Sequence, residues 1–151
     1  MEPMIRFLHV TGVVLFLGTL FCNHRIKKTA ESQDNPDVLS FAYKLIRKND
    51  VALTLPGMLL LLVGGFGLAG VLKAAIAKKW FFVSMGLMLG VLGGWMGGII
   101  PAQIALSKFE KPELSQDDVA KASKKWNVGW TICMVSTLST LLLMIGRHAI
   151  L

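Results

Sequence analysis

Residues 51–72 read VALTLPGMLLLLVGGFGLAGVL, an uninterrupted run without one charged side chain. As an α-helix, about 20 such residues cross the ~30 Å of hydrocarbon in a bilayer. Lipid offers no partners to backbone polar groups, and a helix satisfies them within one segment. This stretch is therefore read as a membrane-spanning helix. Three further stretches read the same way, from about Met4 to Cys22, from Trp80 to about Ile104 and from about Val128 to Ile145. None alternates with the ~10-residue segments of a membrane barrel. The chain is expected to be one all-α domain, residues 1–151. Its architecture is a four-transmembrane-helix bundle of two hairpins, with helices over about 4–24, 36–72, 80–105 and 116–148.

Composition agrees. The chain is 54% apolar and 17% charged, with a mean hydropathy of +0.60, where soluble domains are roughly 45–50% apolar. A net charge of +7 would suit nucleic acid. The basic residues, however, sit in short runs between apolar stretches, which is the pattern that orients membrane helices. Arg25, Lys27, Lys28, Lys44, Arg47 and Lys48 follow the first span, and Lys108, Lys111, Lys121, Lys124 and Lys125 follow the third. The opposite side holds only Arg6, Lys73, Lys78, Lys79 and Arg147. The positive-inside rule then places both termini on the periplasmic or outer face of a bacterial inner membrane. No small-x-small site follows Leu20, and Phe21 rather than a small residue precedes Cys22, so the first helix is expected to be retained. Cys22 and Cys133 make neither a disulfide framework nor a zinc motif.

The longer loops carry helix starts. Asn35-Pro36-Asp37 is an N-cap with proline at the first helical position. Val38, Phe41, Ala42, Leu45 and Ile46 after it share one face. Ser115-Gln116-Asp117-Asp118 repeats the signal, with Val119, Ala122 and Trp126 on one face. The second and fourth helices are therefore expected to begin in the cytosol. Pro56 and Pro101 each remove a helical hydrogen bond and predict a kink or loosening. Gly64, Gly65, Gly67 and Gly70 line the second helix. Gly90, Gly94 and Gly98 recur every fourth residue in the third. Two readings stand: close packing of these helices or a dimer seam, and a flat groove for a planar ligand such as a porphyrin.

Few ionisable groups fall within the spans, and such groups are functional candidates. His9 lies ~8 Å below the outer end of the first helix, where imidazole can ligate haem iron or copper. The alternative is a histidine bonded to a neighbouring helix. His24 is ~22 Å further along the helix and cannot share a metal with His9. His148 ends the fourth helix on the correct side but at the water boundary. Met85, Met88 and Met96 raise Cu(I), although methionine is ordinary apolar filler. Trp80, Trp126 and Trp130 are read as interfacial anchors, and Trp95 as a cap over the glycine groove. Arg47, Lys48 and Asp50 are read as a solvated face. No hydrolase triad, carboxylate pair or phosphate loop is present.

Some of these residues resemble known families. Phe7-Leu8-His9-Val10 with Phe16-Leu17-Gly18-Thr19-Leu20-Phe21 and Arg25 resembles the first helix of HemJ-type membrane proteins and of CopD-type copper proteins. Arg47-Lys48-Asn49-Asp50 leading to Thr54-Leu55-Pro56-Gly57 is similar to their second helix, and Trp126-Asn127 to the start of their fourth. The sequence also resembles, over nearly its whole length, an uncharacterised bacterial family of predicted integral membrane proteins. HemJ-type proteins oxidise protoporphyrinogen and hold haem b, so the resemblance implies His9 as a haem ligand. Departures are visible. Phe81, Phe82, Val83 and Ser84 stand where that family has a lysine, Val128 replaces an acidic residue, and the first helix lacks a tryptophan.

Three functions are expected in consequence. The first is a haem-b redox protein with His9 on the iron, His148 as a further candidate, and Gly90 and Gly94 in the porphyrin groove. The second is a non-catalytic membrane subunit or assembly factor, as a homo-oligomer or within a larger complex. The third is a carrier for copper or a small solute. Nucleic acid is not an expected partner.

Overall fold

The computed structural model describes residues 1–33, 35–71, 79–107 and 115–146. Helix α1 runs Glu2–Glu31, α2 Pro36–Asn49, α3 Leu55–Val71, α4 Lys79–Gly94, α5 Ile100–Ser107 and α6 Gln116–Gly146. Two single π-helical turns, Asp50–Thr54 and Trp95–Ile99, join α2 to α3 and α4 to α5 without a break. Four rods result: Glu2–Glu31, Pro36–Val71, Lys79–Ser107 and Gln116–Gly146. Each is long and apolar enough to cross a membrane. No strand occurs among the described residues. Large apolar side chains such as Phe7, Val63, Leu89 and Leu142 point outward, as a bundle solvated by lipid requires.

The helix starts behave as the sequence dictates. Asn35 Oδ1 accepts from the Asp37 N–H at 2.9 Å and the Val38 N–H at 3.5 Å, with Pro36 in the first turn. Ser115 Oγ accepts from the Asp118 N–H at 3.3 Å and donates to Asp118 Oδ2 at 2.9 Å. The 36-residue rod Pro36–Val71 is about 54 Å long at ~1.5 Å per residue. It therefore projects well beyond ~30 Å of hydrocarbon.

The buried face of α2 differs from the expected one. Leu39, Ala42, Tyr43 and Ile46 are buried, whereas Val38 is 38% and Phe41 67% exposed. The observed set is the i, i+3, i+4, i+7 stripe. Counting Tyr43 as polar hides that stripe, because its ring packs in the core while its hydroxyl reaches toward Glu31.

The prolines explain the π turns. Each follows its turn by two residues, Pro56 after Asp50–Thr54 and Pro101 after Trp95–Ile99. A proline lacks the N–H and crowds the carbonyl four residues back. Widening the preceding turn relieves that crowding. The residues before the prolines show the shift directly. Leu55 N–H bonds the Asp50 carbonyl and Ile100 N–H bonds the Trp95 carbonyl, five residues back instead of four.

Glycines set the helix pairs. They do not bring the second rod against the third, the packing expected from the sequence. A Cβ at Gly64 would lie 2.8 Å from His9 Cα, and one at Gly57 2.9 Å from the Phe16 nitrogen, so α3 lies directly on α1. A Cβ at Gly94 would stand 2.7 Å from the Gly129 carbonyl oxygen, and one at Gly98 2.6 Å from Gly129 Cα, so α4 and its π turn lie on α6. Each glycine row seals its own hairpin: contact between backbones, without side chains in between, replaces the hydrophobic drive that lipid removes. A core of Phe16, Leu20, Tyr43, Ile46, Met58, Met88, Val91, Leu106, Trp126 and Cys133 then joins the hairpins.

Candidate functional site

One face of α1 carries His9, Gly12, Phe16, Thr19, Leu20, Asn23 and Lys27, all buried. It presents an imidazole toward one end of the bundle and a polar ladder toward the other, with Phe16 and Leu20 between them. From His9 to Asn23 the helix rises about 21 Å.

At the first end His9 is 7% exposed. Its Nδ1 lies 2.9 Å from the Leu61 carbonyl oxygen. A carbonyl only accepts, so Nδ1 carries a hydrogen, and in the neutral ring the lone pair is then on Nε2. The ring borders an apolar cavity of about 220 Å³, open on one side, whose wall includes Gly65, Trp80, Met85, Met88 and Met144. A Cβ at Gly65 would come within 3.3 Å of His9 Cε1, so that glycine leaves the imidazole room. Gly90 and Gly94 do not border the cavity. They face α6, where a Cβ at Gly90 would stand 2.9 Å from Ser136 Oγ. His148 lies outside the described residues. Met96 is 62% exposed and is not part of the cavity wall. No group of three or more His, Cys, Asp or Glu able to hold a metal occurs among the described residues.

The second end overturns the reading of Asp50 as a solvated charge. Asp50 opens the first π turn, is buried, and is held by three neutral donors. Asn23 Nδ2 and Thr54 Oγ1 donate to its Oδ1 at 2.9 and 2.7 Å, and Gln103 Nε2 donates to Oδ2 at 2.6 Å. Asn49 Nδ2 in turn donates to Asn23 Oδ1 at 3.0 Å. The indole of Trp95, first residue of the other π turn, shares a cavity of about 140 Å³ with Asp50, Gln103 and Arg47. Its buried N–H meets no acceptor at full hydrogen-bond geometry, although the Asp50 carboxylate is the acceptor within reach. Trp95 thus borders this cavity and not the groove assigned to it from the sequence. A carboxylate held only by neutral dipoles can take or release a proton without breaking an ion pair. Both π turns touch this one cavity, and π turns inside α-helices recur at functional sites.

One turn further along α1, Lys27 is fully buried instead of lying in a solvated loop. Its ammonium has three hydrogens and three acceptors: Glu31 at 2.8 Å, Ser123 Oγ at 2.9 Å and Asn127 Oδ1 at 3.0 Å. Ser123 donates to Glu31 Oε1 at 2.6 Å, and the Tyr43 hydroxyl reaches the same oxygen at 3.5 Å. The ammonium also stands 5.3 Å from the Trp126 ring centroid, a cation–π distance. Trp126 is therefore a core residue and not an interfacial anchor. Trp130 is tied inward as well, its Nε1 donating to the Leu20 carbonyl at 3.1 Å. His24 stacks on both indoles, at 5.7 and 4.0 Å between centroids. Cys133 is buried and Cys22 exposed, so the two thiols do not share a site.

A family described as predicted integral membrane protein, DUF2269, matches residues 3–148. The chain belongs to that family. It is an integral membrane protein with four membrane-crossing helices. Neither a curated protein nor a solved structure matches it.

In this DUF2269 protein, the centre that reading by residue type missed is the ladder of Asn23, Lys27, Asp50 and Gln103. The signal was helix phase. Asn23 and Lys27 continue the buried stripe of α1 by steps of three and four. Asp50 stands four residues after buried Ile46, and Gln103 beside buried Ala102.

Proposed function

We propose that this protein is a haem-b-binding redox protein of the membrane with His9 as an iron ligand. The observation that carries the reading is the pairing of His9 Nδ1 with the Leu61 carbonyl at 2.9 Å. Metal-bound histidines characteristically donate their second nitrogen to a carbonyl or carboxylate, which fixes the ring and leaves the other nitrogen for the metal. The wall suits the group: apolar side chains, a glycine beside the ring, and the thioethers of Met85, Met88 and Met144, a ligand type that pairs with histidine on haem iron. The cavity is smaller than the ~300 Å³ and upward that encloses drug-sized ligands. A porphyrin there would lie partly against lipid. Bound haem would supply one-electron chemistry, and His9 would orient it. The test is the absorption spectrum of protein purified in mild detergent from haem-replete cells, oxidised and dithionite-reduced. A Soret band that shifts on reduction is expected, and its absence removes the reading.

A second reading, a small-solute carrier, is favoured by Asp50. A buried carboxylate that opens one π turn and shares a cavity with the other is an arrangement suited to coupling a proton to a local helix change. Uptake of protons by proteoliposomes, lost in Asp50→Asn while the spectrum stays featureless, would favour it over haem binding.

A further inference from the structure

Two rows of glycine run along the third rod, and only one is explained by the fold. Gly94 and Gly98 meet Gly129 across the α4–α6 seam, and any side chain there would collide with backbone. Gly93 and Gly97 stand at the open edge of that seam, beside Gly94, Gly98 and Gly129. A Cβ on either meets no atom within 4 Å. Packing inside the chain therefore does not require glycine at these positions. What their bareness leaves is an open groove of about 480 Å³ between α6 and the end of α4 with its π turn, with Val128 and Ile132 on its other wall.

The groove has a charged mouth. Lys121, Lys124 and Lys125 line it in the N-terminal turns of α6. They stand on one helix face by the i, i+3, i+4 rule, where like charges repel. Among the described residues no hydrogen bond or ion pair offsets any of the three. Lys27 shows how this chain treats a cation it means to neutralise, with a carboxylate at 2.8 Å. The trio is left open.

We propose that this groove is a binding site for an anionic phospholipid. The phosphate headgroup sits among Lys121, Lys124 and Lys125, and an acyl chain lies over Gly93 and Gly97 against Val128. Basic pockets between membrane helices, at headgroup level with apolar walls below, recognise anionic lipids in this way. Glycine faces also admit a second helix, and the competing occupant is another copy of this chain. A two-fold dimer places the same patch of each copy against the other. In parallel membrane copies it would bring the three lysines of one toward the three of its partner. Charge complementarity selects the lipid.

The experiment is native mass spectrometry of the detergent-solubilised protein titrated with phosphatidylglycerol and, separately, phosphatidylcholine. Phosphatidylglycerol is expected to be retained about tenfold better, a discounted share of what three lysines contribute at a membrane surface. The triple variant Lys121→Gln, Lys124→Gln, Lys125→Gln should lose that preference, and the triple arginine variant should keep it. Gly97→Leu fills the groove where space is free and should lower lipid retention several-fold with thermal stability unchanged. Equal retention of both lipids overturns the proposal, as does a preference that survives the glutamine variant. Saturation by inorganic phosphate alone, or a dimer mass abolished by Gly97→Leu, would also overturn it.

Discussion

Asp50 and Lys27 are solved by different means. Lys27 has a carboxylate partner, so its charge is compensated by an opposite one. Asp50 is bonded only to amide and hydroxyl donors, so its environment is dipolar. Substituting Asp50→Ala strands the donors of Asn23, Thr54 and Gln103, at about 1–3 kcal/mol for each buried group left unpaired. The melting temperature in detergent should fall clearly, and by less in Asp50→Asn, which keeps an acceptor oxygen. A melting temperature unmoved by Asp50→Ala would show that the network contributes nothing. Residue type alone concealed both groups, because charges are solvated by default. Their position in the helical stripe is what the sequence did carry. His9 was legible for the opposite reason: an imidazole is conspicuous in an apolar helix. A bond to a neighbouring helix was one of its two expected readings, and the Leu61 carbonyl supplies it; which helix would do so was not legible, because the close α1–α3 approach depends on Gly57 and Gly64 meeting one particular face of α1.

At the scale of the helices, proline and glycine set the geometry. Restoring the missing N–H with Pro56→Ala should let the turn at 50–54 tighten toward α-helix. Hydrogen–deuterium exchange of its amides should slow, and equal or faster exchange would sever the proline from the π turn. Glycines at the seams should be intolerant and those in open space should not. Gly64→Leu overpacks α3 against the His9 backbone and should cost about 1–3 kcal/mol. Gly18, where a Cβ meets nothing within 4 Å, should accept alanine with a gain of up to ~1 kcal/mol from helix propensity. Thermal unfolding of the pair measures the contrast. Spans, caps and small-residue rows could be read from the sequence. Which helix each row meets could not, because a glycine advertises closeness and not the identity of its neighbour.

At the scale of the molecule, the bundle separates two kinds of chemistry. His9 with thioethers beside it lies near one end, and a ladder of buried polar groups near the lysine-rich end, with Phe16, Leu20, Met58 and Val91 in the core between. By the positive-inside rule the lysine bias predicts that the ladder end faces the cytosol. In a Cys22→Ser background, an impermeant thiol reagent should label Glu2→Cys in intact cells and Thr29→Cys only after permeabilisation. The reverse pattern would invert the molecule.

The haem reading rests on His9. The deciding measurement is the reduced-minus-oxidised spectrum of the wild-type protein beside His9→Ala, at equal amounts of monodisperse protein. A haem signal in the wild type that is lost from a folded variant is the predicted result. No signal in either, or the same signal in both, would contradict it.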